Sequence, residues 1–228
     1  SMAQELAQSI ANVSSKSGVP TRCLITDMSQ VLGHSVGNAI EVNECINFLI
    51  KPENANLRLL ELTIELAAHM LLLSGIESDL EAARVKSQDA LTSGKAAAIF
   101  EQMISALGGP SDLLEKSHKH LVPMPIIRPI VAKSSGHILE MDVRAIGLSM
   151  IHLKAGRTKS SDPIDHGVGL SDIVEIGQWI DKGEPLAIAH TRDKEQLNYL
   201  QETIPGFISL GAKHIEPPTL IHEILGSN

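Results

Sequence analysis

The residues best placed to bind a ligand lie in one segment near the start of the chain, residues 25–42. An apolar run ends at Asp27, a loop containing Gly33 and Gly37 follows, and a helix is predicted from Ala39. A strand, loop and helix in this order present backbone amides and carbonyls at the carboxyl edge of a sheet, where α/β proteins bind ligands. A plain connection whose glycines supply backbone freedom has the same spacing. The pattern alone therefore leaves both interpretations open.

Two other clusters contain groups that could bind a metal or transfer a proton. His118 and His120 stand two residues apart, and residues 162–166 combine two aspartates with His166. A metal site or proton relay is one interpretation of the first cluster, and a solvated basic cluster near a domain junction is the simpler one. For residues 162–166, a turn-forming Asp-Pro pair and hydrogen-bonding acids at strand ends are simpler than general acid–base chemistry.

Composition argues against several classes of function. Aromatic residues make up 2% of the chain and the net charge is −8. Both values disfavour a nucleic-acid binder, which stacks bases on aromatic rings and offers a basic face. No run of 18 apolar residues occurs, so no membrane-spanning helix is expected. Cys23 and Cys45 lack CxxC spacing, which predicts buried free thiols and a reducing, cytoplasmic location.

The elements that must position these residues follow from apolar spacing and from glycine and proline. Residues 21–26 predict a buried strand, and the predicted helices of the first half lie at residues 3–13, 39–49, 57–73, 78–93 and 95–107. Three prolines in residues 122–129 predict an extended connection, and with it a domain boundary at about 118–125. Beyond it we expect strands at 136–141 and 185–190 and helices at 143–153 and 194–202.

Residues 136–142 are similar to the barrel-sandwich folds of biotinyl and lipoyl carriers. Those carriers need a lysine at the tip of a hairpin, commonly beside a methionine. In this sequence Met141 is followed by Asp142, so the attachment residue is absent. The scaffold can be shared without the carrier function.

Residues 26–42, TDMSQVLGHSVGNAIEV, resemble the TDM-x-Q-x-LG-x-x-x-GNA-x-EV signature of thymidine and pyrimidine-nucleoside phosphorylases across the whole motif. Further stretches typical of this family follow in the family's order, at residues 93–96, 140–142, 145–147, 156–157, 162–169, 183–187 and 190. The resemblance runs from about residue 5 to residue 225.

The resemblance implies an α/β fold in two parts. Residues 3–117 would be the helix-rich C-terminal part of the phosphorylase α/β catalytic domain, and residues 122–226 an α/β-hammerhead-like C-terminal domain. The implied activity is that of a pentosyltransferase, which moves a (deoxy)ribosyl group from a pyrimidine base to phosphate in nucleoside salvage. The implied partners are phosphate and thymidine or another pyrimidine nucleoside, in a cytoplasmic homo-oligomer that binds neither nucleic acid nor membrane.

Family members are about twice as long as this chain. Their phosphate-binding Lys-His-Ser-Thr-Gly-Gly string and their pyrimidine-binding Arg, Ser and Lys have no counterpart here; the nearest glycine cluster, residues 108–111, lacks the Lys-His pair. We therefore predict a fragment with no catalytic residue, no required cofactor and no activity alone. By the same comparison, His34 has no assigned chemistry, and His152, His166 and His190 belong to structural elements.

One site of the family carries over in part. Family structures hold a potassium-like cation with backbone carbonyls of the signature loop and a carboxylate on the following helix. The matching groups here are the carbonyls of Leu32 and Ser35 and the side chain of Glu44, which are oxygen ligands suited to a hard cation. The alternative is that Glu44 is an ordinary solvated helix residue.

Two other functions stay open at this point. The chain could be a non-catalytic module that binds a partner, such as the half that relatives possess and it lacks. Alternatively, the enzyme acts on uridine or on nucleoside monophosphates instead of thymidine.

Overall fold

The computed structural model describes residues 1–121 and 123–226. The helices are α1 (Met2–Lys16), α2 (Asn38–Ile50), α3 (Leu57–Leu73), α4 (Leu80–Thr92), α5 (Lys95–Ala106), α6 (Ser117–His120), α7 (Val143–His152) and α8 (Lys194–Thr203), with 3₁₀ turns at Pro52–Asn54 and Ile204–Gly206. The strands are β1 (Arg22–Thr26), β2 (Ile126–Val131), β3 (Gly136–Met141), β4 (Gly169–Ser171), β5 (Trp179–Ile180), β6 (Pro185–Thr191), β7 (Ile208–Gly211) and β8 (Ile221–Gly226). This mixture confirms the α/β class.

The described residues form two compact units. The first consists of residues 1–27 and 55–96 and of the chain from residue 219 onward; the second consists of residues 28–54 and 97–218. The domains expected from the sequence, residues 3–117 and 122–226, stay a prediction. They rest on similarity of sequence, whereas the two units are groups of residues in contact. Val122, the first residue of the second predicted domain, lies outside the described residues.

The sheet of the first unit consists of β1 and β8, which pair antiparallel with Cys23 opposite Leu225. Helix α1 contacts both strands and buries Ala7 and Ala11. The sequence predicted a buried strand at residues 21–26, but every residue of β1 is only partly buried. The reason is that a strand with a single neighbour in its sheet keeps one edge accessible.

Helices α3 and α4 of the first unit share a network of charged side chains. Glu65 accepts hydrogen bonds from Nε and Nη2 of Arg84 at 2.7 and 2.8 Å, and His69 Nε2 lies 3.2 Å from Glu65 Oε1. On the other side of the ring, Arg22 Nη1 donates to Nδ1 of His69 at 2.8 Å. Because arginine only donates, Nδ1 of His69 is the acceptor in this contact. The hydrogen bonds from Arg84 lower the pKa of Glu65 below its ordinary value.

The second unit contains two antiparallel three-stranded sheets. In one, β6 lies between β2 and β4; in the other, β3 lies between β5 and β7. Its core consists of aliphatic side chains such as Ile138, Leu170 and Leu186, each fully buried, as the low aromatic content requires. Pro129 lies in β2, an edge strand, where a missing backbone N–H is tolerated.

The helices predicted from apolar spacing are confirmed, and α3 has the predicted ends. One helix begins two residues later than predicted, at Leu80 instead of Ser78. Asp79 is the N-cap of α4, and its carboxylate accepts the Ala82 N–H at 2.8 Å. A carboxylate both satisfies this free N–H and interacts favourably with the positive end of the helix.

The prediction of two buried thiols is wrong for Cys45. Both cysteines are free, but Cys45 is exposed and Cys23 only partly buried. On α2 the buried positions are Ile46 and Phe48. Residues one apart on a helix point in different directions, so Cys45 faces outward although its neighbour Ile46 is in the core.

Candidate functional site

The signature loop, residues 28–37, is shaped by two glycines with positive φ. Gly33 has φ +76° and Gly37 has φ +132°. A Cβ atom at position 33 would lie 2.8 Å from Oε1 of Glu44, and one at position 37 would lie 2.6 Å from the carbonyl oxygen of Val168. Both positions therefore require glycine for the backbone conformation and for the close approach of a neighbour.

Glu44, one of the predicted cation ligands, lies against this loop from helix α2. Its Oε1 accepts the backbone N–H of His34 at 2.7 Å. The absence of a side chain on Gly33 makes room for the carboxylate. Glu44 is thus not an ordinary solvated helix residue, because it is partly buried and bonded to the loop.

His34, to which the sequence assigned no chemistry, anchors the loop. Its Nδ1 lies 3.1 Å from the carbonyl oxygen of Ile173, and its Nε2 lies 3.7 Å from Oε1 of Glu175. The backbone N–H of Ile173 in turn donates to the carbonyl of His34. Sequence gave no signal for this role, since the bonded residues are more than a hundred positions apart.

Backbone hydrogen bonds continue the attachment along the loop. Val36 and Leu170 exchange two, at 2.9 and 2.8 Å, and form an isolated antiparallel bridge. At the start of α2, the N–H of Ala39 donates to the carbonyl of His166 at 2.9 Å. Residues 34–39 are consequently fixed by residues 166–173 of the same unit.

A cavity of about 550 Å³ opens beside the loop within the second unit. Ser35 and Glu44 line it, whereas Leu32, with an exposed side chain, is not among the described residues that do so. The structure thus brings two of the three predicted cation ligands to one cavity. Its other polar lining residues are His34, Asn43, Asn47, Asn54, Ser117, His118, Ser171, Asp172 and His190.

Glu44 offers oxygen atoms of the kind that a hard cation prefers. The carboxylate accepts the N–H of His34 on one oxygen, and an ionised carboxylate has further lone pairs to offer. Carboxylate and backbone carbonyl oxygens are the ligands such cations prefer. The residues present could therefore contribute part of a coordination shell, and the remaining ligands would come from elsewhere.

His190 and Ser171 form a hydrogen-bonded pair in the cavity wall. Nε2 of His190 lies 2.9 Å from Oγ of Ser171, which also donates to the Asp172 carboxylate at 3.1 Å. Burial lowers the pKa of His190, so the ring is neutral at pH 7. This pair was missed because the sequence placed His190 in a structural element, where adjacent strands β4 and β6 hold the two residues together.

The His118 and His120 cluster divides in the structure. His118 lines the cavity, whereas Nε2 of His120 lies 2.7 Å from Oδ1 of Asp112. Lys116 donates to the other oxygen of that carboxylate at 2.9 Å. The hydrogen bonds from Lys116 and His120 lower the pKa of Asp112 to about 2. The two histidines therefore have different surroundings: His120 belongs to a partly exposed group of ion pairs around Asp112, and His118 faces the cavity.

The acidic residues at 162–166 have structural partners. Asp162 accepts hydrogen bonds from the N–H and hydroxyl of Thr158, which close a turn. Asp165 accepts two hydrogen bonds from Arg192, at 2.6 and 2.9 Å. These contacts favour the turn and strand-end interpretation. His152 stacks on Tyr199 with ring centroids 4.2 Å apart.

Two kinds of feature are absent from the described residues. No group of three or more His, Cys, Asp or Glu side chains there could hold a metal ion. Across residues 1–121 and 123–226, no helix has the length and apolar character needed to cross a membrane.

Comparison with known proteins shows similarity to one protein family and to a curated thymidine phosphorylase. Residues 137–210 match the family described as pyrimidine nucleoside phosphorylase C-terminal domain. Over 220 residues, this chain is 41% identical to the thymidine phosphorylase of Burkholderia orbicola (strain MC0-3). That alignment covers 96% of this chain and 50% of the relative. The chain therefore spans about half the length of the curated relative it matches.

Proposed function

We propose, from the premise that this chain belongs to the thymidine and pyrimidine-nucleoside phosphorylase family, that it serves the phosphorolysis of thymidine or a related pyrimidine nucleoside. The sequence carries the C-terminal domain of that family at residues 137–210. The observation that supports the proposal best is the signature loop, in which the carboxylate of Glu44 packs on Gly33 and accepts the backbone N–H of His34. A connection that only joined a strand to a helix would not need a carboxylate packed on a glycine.

In this reaction a phosphate oxygen attacks C1′ of the nucleoside while the pyrimidine leaves with its bonding electron pair. Positively charged and hydrogen-bonding donors must stabilise both the phosphate and the departing base. We assign neither set to this chain, because the sequence has no counterpart of the family's Lys-His-Ser-Thr-Gly-Gly string. The chain is then a fragment that supplies the signature loop and C-terminal domain and has no turnover alone.

The proposed cation site consists of the carbonyls of Leu32 and Ser35 and the carboxylate of Glu44. A bound potassium-like ion would stabilise the loop by neutralising the carboxylate and fixing the carbonyls around it. Two contacts support this site: the backbone N–H of His34 donates to Glu44, and the His34 ring lies against the carbonyl of Ile173.

Further features of the proposal come from the family. The domains would be residues 3–117, part of the α/β catalytic domain, and residues 122–226, an α/β-hammerhead-like domain. The assembled enzyme would be a cytoplasmic homo-oligomer. Uridine or a nucleoside monophosphate stays the alternative substrate, because the selecting residues are among those that have no match here.

The test measures thymine release from thymidine and phosphate by the chain alone and by the chain co-expressed with the uncovered half of the Burkholderia relative. We expect no turnover by the chain and turnover by the co-purified complex. Uridine and thymidine monophosphate are assayed in parallel to determine the preferred substrate. A complex that forms but cleaves none of these substrates would refute the proposed function. Turnover by the chain alone would refute the proposal that it is an inactive fragment.

A further inference from the structure

Two histidines and a tryptophan of the second unit, which we call the His137 cluster, lie together where strand β3 begins: His137, Trp179 and His214. The ring centroid of His137 is 5.0 Å from that of Trp179 and 4.8 Å from that of His214. Strand pairing produces this arrangement, because His137 lies opposite Trp179 of β5 on one side and opposite Gly211 of β7 on the other. The chain then continues past Gly211 and brings His214 beside His137.

A backbone contact fixes the position of the proton on His137. Nδ1 of the ring lies 3.0 Å from the carbonyl oxygen of Gly177. A carbonyl oxygen only accepts, so Nδ1 carries the hydrogen, and in the neutral ring the lone pair is on Nε2. Histidines that bind metal ions donate their other ring N–H to a carbonyl or carboxylate in this way. His137 therefore has the tautomer and the orienting contact of a metal ligand.

His214 has an equivalent contact with a carboxylate. Its Nε2 lies 3.2 Å from Oε1 of Glu216. The carboxylate accepts this hydrogen bond, so the neutral ring of His214 keeps its lone pair on Nδ1. His214 and Glu216 are both exposed, and half of Trp179 is exposed as well. An ion in solution can therefore reach the cluster.

The separation of the two imidazole rings suits a shared metal ion. Metal–nitrogen bonds of about 2.0–2.1 Å at a roughly tetrahedral angle place the centroids of two imidazoles about 5 Å apart. The observed separation is 4.8 Å. Imidazole nitrogen is a ligand for zinc, nickel and copper, whereas hard cations prefer oxygen. The cluster thus differs in ligand type from the oxygen atoms that Glu44 offers.

We propose that His137 and His214 bind one divalent transition-metal ion, such as zinc, through Nε2 of His137 and Nδ1 of His214. Water molecules complete the coordination shell, and Glu216 orients His214 without binding the ion. A site of this kind has only two side-chain ligands. It therefore agrees with the finding that no three His, Cys, Asp or Glu residues within 1–121 and 123–226 could hold a metal together. A bound ion would join β3 to the segment after β7.

The experiment titrates the full chain with nickel(II) and measures the fluorescence of Trp179, the only tryptophan in the sequence. A paramagnetic ion on His137 lies close to the neighbouring indole and quenches its fluorescence. Zinc(II) is then added as a competitor that does not quench. The variants are His137→Asn, which keeps a side-chain N–H to face Gly177, and His214→Gln. Circular dichroism shows whether each variant folds.

The matched control is His222→Gln, which removes an exposed histidine of the first unit. We expect quenching that saturates with one nickel ion per chain and is reversed by zinc. The affinity should fall at least about tenfold in His137→Asn and in His214→Gln, because the loss of a group that merely orients a ligand already costs that much. It should be unchanged in His222→Gln.

Three results would overturn the proposal. The first is an affinity for nickel in His214→Gln equal to that of the parent chain, since this exposed residue can be replaced without disturbing the core. The second is an absence of quenching, or quenching that zinc does not reverse. The third is an equal loss of affinity in His222→Gln, which would place the bound ion elsewhere.

Discussion

Replacing Gly33 by alanine tests the geometry of the signature loop in two separable ways. The first effect is conformational, because alanine at φ +76° costs about 1–2 kcal/mol. The second is steric, since the new Cβ would lie 2.8 Å from Oε1 of Glu44 and must displace the carboxylate. That displacement breaks its hydrogen bond from His34, which contributes about 1.5 kcal/mol for a partly exposed charged acceptor. We therefore expect the free energy of unfolding to fall by roughly 2.5–3.5 kcal/mol.

Gly94→Ala is the matched control. Gly94 has φ +77°, and a Cβ there would meet nothing within 4 Å, so this variant carries the conformational cost alone. The two variants are compared by urea denaturation and by thermal melting, where a difference of about 1.5 kcal/mol corresponds to roughly 3–6 °C. When Glu44 is already replaced by alanine, adding Gly33→Ala should lower the unfolding free energy only as much as Gly94→Ala does. Equal losses for Gly33→Ala and Gly94→Ala would refute the idea that Glu44 is held against the loop.

Three further predictions use other groups. Potassium chloride should raise the melting temperature above that in equimolar tetramethylammonium chloride, and Glu44→Gln should abolish the difference; an unchanged response in that variant would exclude Glu44 as a ligand. Glu65→Gln should lower the unfolding free energy at pH 7 by about 2 kcal/mol, between the values for exposed and buried ion pairs. Because the folded pKa of Glu65 is lowered, its contribution to stability is present above the ordinary carboxyl pKa and is lost as pH falls through the folded value. The stabilities of the variant and the parent should therefore converge in acid. Since burial lowers the pKa of His190 in the folded state, the ring takes up a proton in the unfolded chain first, and stability should fall as pH drops below about 6.5. His190→Gln should remove part of this pH dependence in urea titrations. An identical pH dependence in the variant would contradict the assignment to His190.

Local features of the fold could be predicted because their causes are local. Helix α3 begins at Leu57 after the Asn56 cap and follows an uninterrupted apolar spacing, so its ends could be placed from sequence. The same is true of β3 at Gly136–Met141. The start of α4 was predicted two residues early, at Ser78, because Ser78 and Asp79 both suit an N-cap.

The candidate site was predictable only through its motif. Gly33 and Gly37 are the positions where sequence could signal the geometry, since glycine is the residue that most readily adopts a positive φ. The partners of His34 and His190 could not be found this way. His34 bonds to Ile173, and His190 bonds to Ser171 because β4 and β6 are neighbours. Pairings over such separations depend on the assembled sheets.

The residues of the signature motif have different structural roles. Asp27 belongs to the first unit, where its carboxylate accepts a hydrogen bond from Arg58 at 2.8 Å and only 8% of its side chain is exposed. From Met28 onward the motif belongs to the second unit, where Gly33 and Glu44 shape the loop. An aspartate in a ligand-binding signature would ordinarily be taken as a ligand, but this one is used in an ion pair of its own unit. Agreement with a motif therefore indicates a resemblance, and only the contacts of each residue distinguish those placed to bind a ligand from those that stabilise the fold.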